Sequence, residues 1–312
     1  MTKLLLHLSD VDEARWAAAY RAALPDVQVV RRGDAVDPAS VDYAFVWKPK
    51  PDAFEGLTRL KAVLSLGAGV DALLKHPHLP QAPVVRFVDD NLTRRMTDYV
   101  VAQVTMHQRL FTRFKRDTAA RRWVQHYPPE ASLTQVGIMG LGHLGYDAAV
   151  KLRDLGFKVL GWSRTPKSIE GVETFAGDAL DAFLAQTDIA VCLLPLTPDT
   201  NGILDYELFS KLRRSLDGGP VIVNAARGGH QREADIVRAL TDGTLGAASL
   251  DVFETEPLPP TSPLWSVDNC YITPHIAAIS DIDAGVAYFS RIIRSHEAGN
   301  PLPNVVDRSR GY

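Results

Sequence analysis

Short apolar runs alternate with longer stretches of helical period along this chain. Residues 3–8 read as a strand, and residues 11–24 as a helix stopped by Pro25. Further strands are predicted at 27–30, 43–47 and 62–66. Between 98 and 114 the positions Tyr99, Val100, Val104, His107 and Phe111 recur at three- and four-residue steps, which predicts one buried helical face. A second series starts at Thr134, with strands at 136–139, 159–162, 189–194, 221–224, 247–252 and 271–273. A last helix over 282–298 carries Val286, Phe289 and Ile293 and is ended by Gly299-Asn300-Pro301. Strands separated by helices imply parallel sheets. Two such series predict two α/β domains, with residues 98–285 inserted in a unit made of 1–97 and 286–312.

Size and charge narrow the partners. A chain of 312 residues exceeds one ordinary core, which agrees with two domains. With 46% hydrophobic and 23% charged residues it has the composition of a globular protein. A net charge of −3 offers no general attraction to nucleic acid or anionic membrane. The basic stretch from Arg109 to Arg122, followed by Trp123 and Tyr127, mixes cations with aromatics. In this chain it reads better as a solvated face or a subunit contact. No apolar run approaches the ~20 residues of a membrane span. Lys3 and Leu4-Leu5-Leu6, interrupted by His7 and Asp10, give no leader pattern. Cys192 and Cys270 lie in strand-like segments without metal spacing, so no metal is expected. Free buried thiols fit a cytoplasmic protein.

The candidate chemistry begins where the 136–139 strand meets Gly140-Leu141-Gly142-His143-Leu144-Gly145. In this strand–turn–helix context Gly140 permits the tight turn, Gly142 lets backbone approach a pyrophosphate, and Gly145 allows close helix–strand packing. The amides at the helix start, His143 and Leu144 among them, then face the phosphates. This makes the second domain a Rossmann-type, doubly wound dinucleotide domain. An acid near the end of its second strand would hold the ribose diol of NAD. That strand instead ends in Ser163-Arg164-Thr165, with no acid before Glu170. Two hydroxyls and a planar guanidinium suit the 2′-phosphate of NADP. NADPH is therefore the expected cofactor, and NADH the alternative donor.

Three later segments place a polar residue just past an apolar strand: Arg227 in Asn224-Ala225-Ala226-Arg227-Gly228-Gly229, Glu256 in the run 250–259, and His275 in the run 272–278. Carboxyl ends of strands are where open α/β sheets bind ligands. Singly, Arg227 reads equally as a surface charge, Glu256 as a helix-start acid and His275 as a core histidine. The turn Gly67-Ala68-Gly69-Val70-Asp71 has free amides that suit a small anion, or is an ordinary β–α turn.

Taken together, GLGHLG (140–145), NAARGG (224–229), LDVFETEPLP (250–259) and ITPHIAA (272–278) resemble the D-isomer-specific 2-hydroxyacid dehydrogenase family. VWKP (46–49), SLGAGVD (65–71) and GWSRTPKS (161–168) make the chain most similar to its glyoxylate/hydroxypyruvate reductase A group. The resemblance implies a smaller, flavodoxin-like substrate domain beside the Rossmann-type one. It implies that Arg227 binds the substrate carboxylate and carbonyl, that His275 is the general acid, and that Glu256 pairs with His275. Ala68, Gly69 and Val70 would grip the carboxylate, with Trp47 as a pocket wall. Leu194, Pro195, Ala225 and Ala226 would complete the cofactor contacts, and Asp251 would hold the nicotinamide carboxamide or steady the site. A homodimer through residues 98–129, and a cleft hinged near Met96 and 280–284, are further implications. Where the family shows Val-Asp-Glu, this chain has Gln231-Arg232-Glu233, so a helix cap is missing.

The expected function is NADPH-dependent reduction of glyoxylate to glycolate and hydroxypyruvate to D-glycerate. One alternative is a nucleotide-sensing, corepressor-like binding protein of the same fold. Another keeps the chemistry but takes a larger 2-oxo acid, formate or phosphite.

Overall fold

Every named strand pairs in parallel, as the alternation of strands and helices requires. The structure is a computed structural model and describes residues 1–311. The chain divides into two units, Met1–Leu92 with the chain from Ser280 onward, and Thr93–Ile279. The first unit begins with β1 (Thr2–Leu8), α1 (Glu13–Ala23), β2 (Val27–Arg31), β3 (Tyr43–Trp47), β4 (Ala62–Ser65), α2 (Asp71–Leu74) and β5 (Val84–Arg86). Its sheet runs β2-β1-β3-β4-β5, the flavodoxin-like order, which reverses between β1 and β3. Asp12 caps α1 by accepting the Arg15 amide at 3.0 Å, and Trp16, Ala17 and Tyr20 turn inward. The three-residue β5 had no counterpart in the predicted pattern, being too short to show a period.

The chain then continues through α3 (Asp90–Gln108) and α4 (Phe111–Ala119). The helix expected over 98–114 thus starts earlier and breaks at Leu110, whose φ is +62°. The left-handed turn buries Leu110 and leaves Phe111 exposed, while Val100, Val104 and His107 are buried as the period requires. The second unit's sheet comprises β6 (Gln135–Met139), β7 (Lys158–Ser163), β8 (Glu173–Ala176), β9 (Ile189–Cys192), β10 (Val221–Asn224), β11 (Ala247–Leu250) and β12 (Cys270–Ile272). Between them lie α5 (His143–Asp154), α6 (Leu180–Leu184), α7 (Tyr206–Lys211) and α8 (Glu233–Asp242). The order is β12-β11-β10-β9-β6-β7-β8, seven strands where six were expected. The extra one, β8, is a half-buried edge strand, so it lacks the apolar run that marks the others. Side chains alternate across the sheet: Ile138, Val191 and Val223 feed one core, and Met139, Cys192 and Ile222 the other.

The last helix, α9 (Ile282–Glu297), belongs to the first unit, with Asp281 capping it through the Ala284 amide at 3.0 Å. A Cβ on its Gly285 would come within 2.7 Å of the Trp16 ring, so α1 and α9 pack at a glycine contact. The Glu297 carboxylate accepts from Thr2, Tyr43 and Lys61. Burial works against that charge, yet these bonds hold the group down at about 2. The division at Leu92/Thr93 and Ile279/Ser280 differs from the expected 97/98 and 285/286. α3 runs unbroken through Met96 and Thr97, and the chain leaves the second unit before the Asp281 cap. Among the described residues no helix is long and apolar enough to cross a membrane.

One buried histidine predicts a pH effect. His107 Nε2 meets Ser249 Oγ at 2.8 Å, and burial pushes its pKa down to about 4. The folded protein then binds fewer protons than the unfolded chain between about pH 6.5 and 4, so stability is lost as the pH is lowered through that window. Between pH 7 and 4.5 the protein should lose about 2 kcal/mol more unfolding free energy than His107→Gln. Denaturant titrations at the two pH values check this; parallel losses would refute it.

Candidate functional site

The glycine turn stands at the point where the second sheet reverses, between β6 and β9. The Gly140 amide bonds Trp162 O at 2.8 Å and the Leu193 amide bonds Met139 O at 2.8 Å, so the turn is tied to both neighbouring strands. Gly140 has φ +104°, and a Cβ there would meet Leu193 O at 2.7 Å. A Cβ on Gly145 would lie 1.8 Å from Gly140 O, so α5 starts as close to β6 as backbone allows. Around Gly142 the space is open: nothing lies within 4 Å of its missing Cβ. Gly142 caps α5 without a side chain, and His143 beside it is exposed. The start of α5 is thus a cradle that fits a diphosphate on the open side of Gly142.

The end of β7 lies alongside. Ser163 is buried and its hydroxyl donates to Thr165 O at 2.8 Å, so it shapes the loop. Arg164, Thr165 and Lys167 are exposed, and Gly177 of the next turn lies against the Arg164 carbonyl. Buried Leu194 and half-buried Pro195 follow β9; Ala225 and Ala226, both buried, follow β10.

The loop carrying Arg227 is folded around two buried amides. Asn224, fully buried, accepts the Ala226 amide at 3.1 Å and donates to Arg227 O at 3.1 Å and Gln231 Oε1 at 2.8 Å. Gln231 in turn donates to Val252 O at 2.9 Å. A Cβ on Gly228 would fall 1.8 Å from Phe253 O, so only glycine lets this loop close on the one after β11. The two loops also exchange bonds through Glu233 and Glu254, each amide donating to the other's carboxylate at 2.9 and 2.8 Å. The missing cap at Arg232 is real, for that side chain makes no cap bond. The Glu254 carboxylate takes its place.

His275 and Glu256 meet directly, Nδ1 to Oε2, at 2.8 Å. A carboxylate only accepts, so Nδ1 carries the hydrogen and Nε2 is left for other exchange. Glu256 is fixed from behind, its Oε1 accepting the Phe253 amide at 3.1 Å. His275 itself is left-handed, with φ +55°, a state costing roughly 1–2 kcal/mol in a non-glycine residue. Asp251 maintains it. Its carbonyl accepts the His275 amide at 2.8 Å, and its carboxylate accepts the Ile276 and Ala277 amides at 2.8 and 2.9 Å. These bonds tie the His275 turn to the end of β11. Arg227 donates to Ala226 O at 2.7 Å. The sequence marked Gln231 only as part of a replaced cap and Tyr99 only as part of a buried helical face; their bonds to Val252 O and to Thr273 Oγ1 are tertiary and carry no local pattern.

In the first unit Trp47 ends β3 at the β1/β3 reversal, paired in register with Leu8. A Cβ on Gly67 would meet the Trp47 ring at 2.7 Å, which sets the indole beside the turn of Ala68, Gly69 and Val70. Among the described residues those three amides donate to no backbone carbonyl. Ala68 is half-buried, Gly69 exposed and Val70 buried.

A doubly wound sheet with a glycine cradle at its reversal and a paired His and Glu past neighbouring strands defines a dinucleotide-binding oxidoreductase. The model of the D-isomer-specific 2-hydroxyacid dehydrogenase NAD-binding domain matches residues 101–277. The chain is 40% identical to the glyoxylate/hydroxypyruvate reductase A of Yersinia enterocolitica, over 96% of both chains. It superposes on the NADPH-dependent glyoxylate/hydroxypyruvate reductase of Sinorhizobium meliloti, crystallised with NADP and sulfate, with TM-score 0.95, 47% identity and full coverage of both chains. A probable 2-hydroxyacid dehydrogenase of Rhizobium etli, crystallised with NADP, HEPES and L(+)-tartaric acid, superposes with TM-score 0.93 at 46% identity, also over both full lengths. The chain belongs to the D-isomer-specific 2-hydroxyacid dehydrogenase family and is an NAD(P)-dependent oxidoreductase.

Proposed function

We propose that the protein reduces small 2-oxo acids with NADPH, glyoxylate and hydroxypyruvate foremost, giving glycolate and D-glycerate. The His275–Glu256 pair carries this reading, because it is a proton donor held ready by a carboxylate on a dinucleotide-type sheet. The relatives named for glyoxylate and hydroxypyruvate reduction, and those crystallised with NADP, support it.

In this reading His143, Leu144 and the three glycines of the turn hold the pyrophosphate, with Leu194, Pro195, Ala225 and Ala226 against the rest of the cofactor. Arg164 takes the 2′-phosphate, helped by Thr165, while Ser163 shapes their loop. When bound, NADPH supplies the hydride. The chain's own groups manage the charge that hydride arrival leaves on the substrate oxygen. Arg227 binds the carboxylate and that oxygen, a guanidinium being suited to both. His275 delivers a proton from Nε2, and Glu256 orients the ring through Nδ1. Ala68, Gly69 and Val70 offer amides to the carboxylate, and Trp47 walls their turn. The buried, unpaired Cys192 and Cys270 fit a reducing cytoplasm. We also assign residues 98–129 to a homodimer contact, since Trp123 and Tyr127 there are 96% and 86% exposed.

Three outcomes are expected. In a panel of 2-oxo acids followed at the reduced nicotinamide band, glyoxylate and hydroxypyruvate should give the highest kcat/KM, and NADPH should exceed NADH. Faster turnover of a larger 2-oxo acid, or with NADH, would overturn the assignment. His275→Ala should lower kcat by about 10²–10⁴ with NADPH still bound; retained turnover would remove His275 from the chemistry. Sedimentation equilibrium should find a dimer that Trp123→Glu/Tyr127→Glu weakens, and an unaffected dimer would place the contact elsewhere.

A further inference from the structure

One face of α3 carries polar side chains onto the catalytic strands. Tyr99, Gln103 and His107 stand at four-residue steps, so they line up along the helix. Gln103 and His107 both bond Ser249 Oγ in β11, at 2.7 and 2.8 Å. Tyr99 reaches further along, where its hydroxyl meets Thr273 Oγ1 at 2.9 Å. Thr273 donates to Asp251 Oδ1 at 2.6 Å. The direction of this chain is fixed by its end. The Asp251 carboxylate only accepts, so the Thr273 hydrogen is committed to it and the Tyr99 hydroxyl donates to Thr273.

What Asp251 does next gives the chain its consequence. The same carboxylate takes the amides of Ile276 and Ala277, and the Asp251 carbonyl takes that of His275. These are the bonds that hold His275 at φ +55°. The position of Asp251 is set in turn by Thr273, and the rotamer of Thr273 by Tyr99. We propose that Thr273 and Tyr99 are positioning residues for His275, holding its ring on Glu256 through the Asp251 carboxylate. Burial lifts the Tyr99 phenol to about 12, which keeps it a neutral donor throughout the working range. The inference rests on the reading of His275 as general acid.

The test compares Thr273→Val, which keeps the shape and removes the hydroxyl, with Thr273→Ser, which keeps the hydroxyl, and with Tyr99→Phe. The readouts are the single-turnover rate of NADPH oxidation by glyoxylate, the glyoxylate KM and the NADPH Kd by fluorescence titration. The valine variant should slow hydride transfer about tenfold or more, and Tyr99→Phe several-fold, with KM and Kd within about twofold of the parent. The serine variant should recover to within about threefold. The proposal fails if the valine variant keeps the parent rate, if serine is as slow as valine, or if KM and Kd rise in step with the loss. Should Thr273→Val not fold, Tyr99→Phe carries the test alone, and an unchanged rate there overturns the proposal. Failure of the underlying reading is separate: it shows as turnover retained by His275→Ala.

Discussion

Two places in the second unit bring backbone against backbone so closely that a Cβ has no room. At Gly145 the missing atom would fall 1.8 Å from Gly140 O, and at Gly228 1.8 Å from Phe253 O. The first contact seats the start of α5 on the end of β6. The second closes the Arg227 loop on the loop that carries Glu256. What the proposal asks of the second unit depends on these contacts, because they place the cradle at α5 and tie the Arg227 loop to the loop whose Glu256 meets His275. Parallel strands make this arrangement economical, since all their carboxyl ends open on one edge.

Close backbone approach removes water, so the polar groups left between the loops must satisfy one another. Asn224, Gln231 and Asp251 do so, at 0, 2 and 1% exposure. Asn224 joins the two ends of its own loop, Gln231 reaches across to Val252 O, and Asp251 gathers the amides around His275. The replacement of the usual Val-Asp by Gln231-Arg232 is thereby explained in part. Gln231 gives the buried position amide bonds, and the lost cap on α8 is supplied by Glu254. A buried network of this kind gives its loops one arrangement, which is what a site placing a proton within hydrogen-bond reach requires.

The strand–helix alternation and the glycine turn were legible because each is a local pattern, a period or a spacing, and the sequence also paired Glu256 with His275, which meet at 2.8 Å. Where pattern was lacking, the reading stopped. β5 and β8 are short or half-buried, and the break at Leu110 has neither glycine nor proline to announce it. Strand ends were drawn too long after Cys192, where the apolar run continues through Leu193 and Leu194 into a loop, and after Leu250, where buried Val252 follows Asp251. The bonds of Asp251 to residues 273, 276 and 277 were not legible, because those contacts are tertiary. The bond that the Ser163 hydroxyl makes within its own loop, to Thr165 O, was likewise not legible.

The cofactor loop shows how little sequence is needed to set a preference. Two unit charges 4 Å apart interact by about 4 kcal/mol at the effective dielectric of a protein surface. An acid at the end of β7 would oppose a 2′-phosphate by that order, and a guanidinium favours it by a similar amount. Exchanging one for the other therefore shifts the balance between the two dinucleotides by several orders of magnitude before screening by salt reduces it. On the proposed reading this selection falls on Arg164, with Thr165 and Lys167 exposed beside it. Nothing in the strand order or the glycine cradle needs to change for that. The same fold can therefore take either dinucleotide, and on the proposed reading the end of one strand decides which.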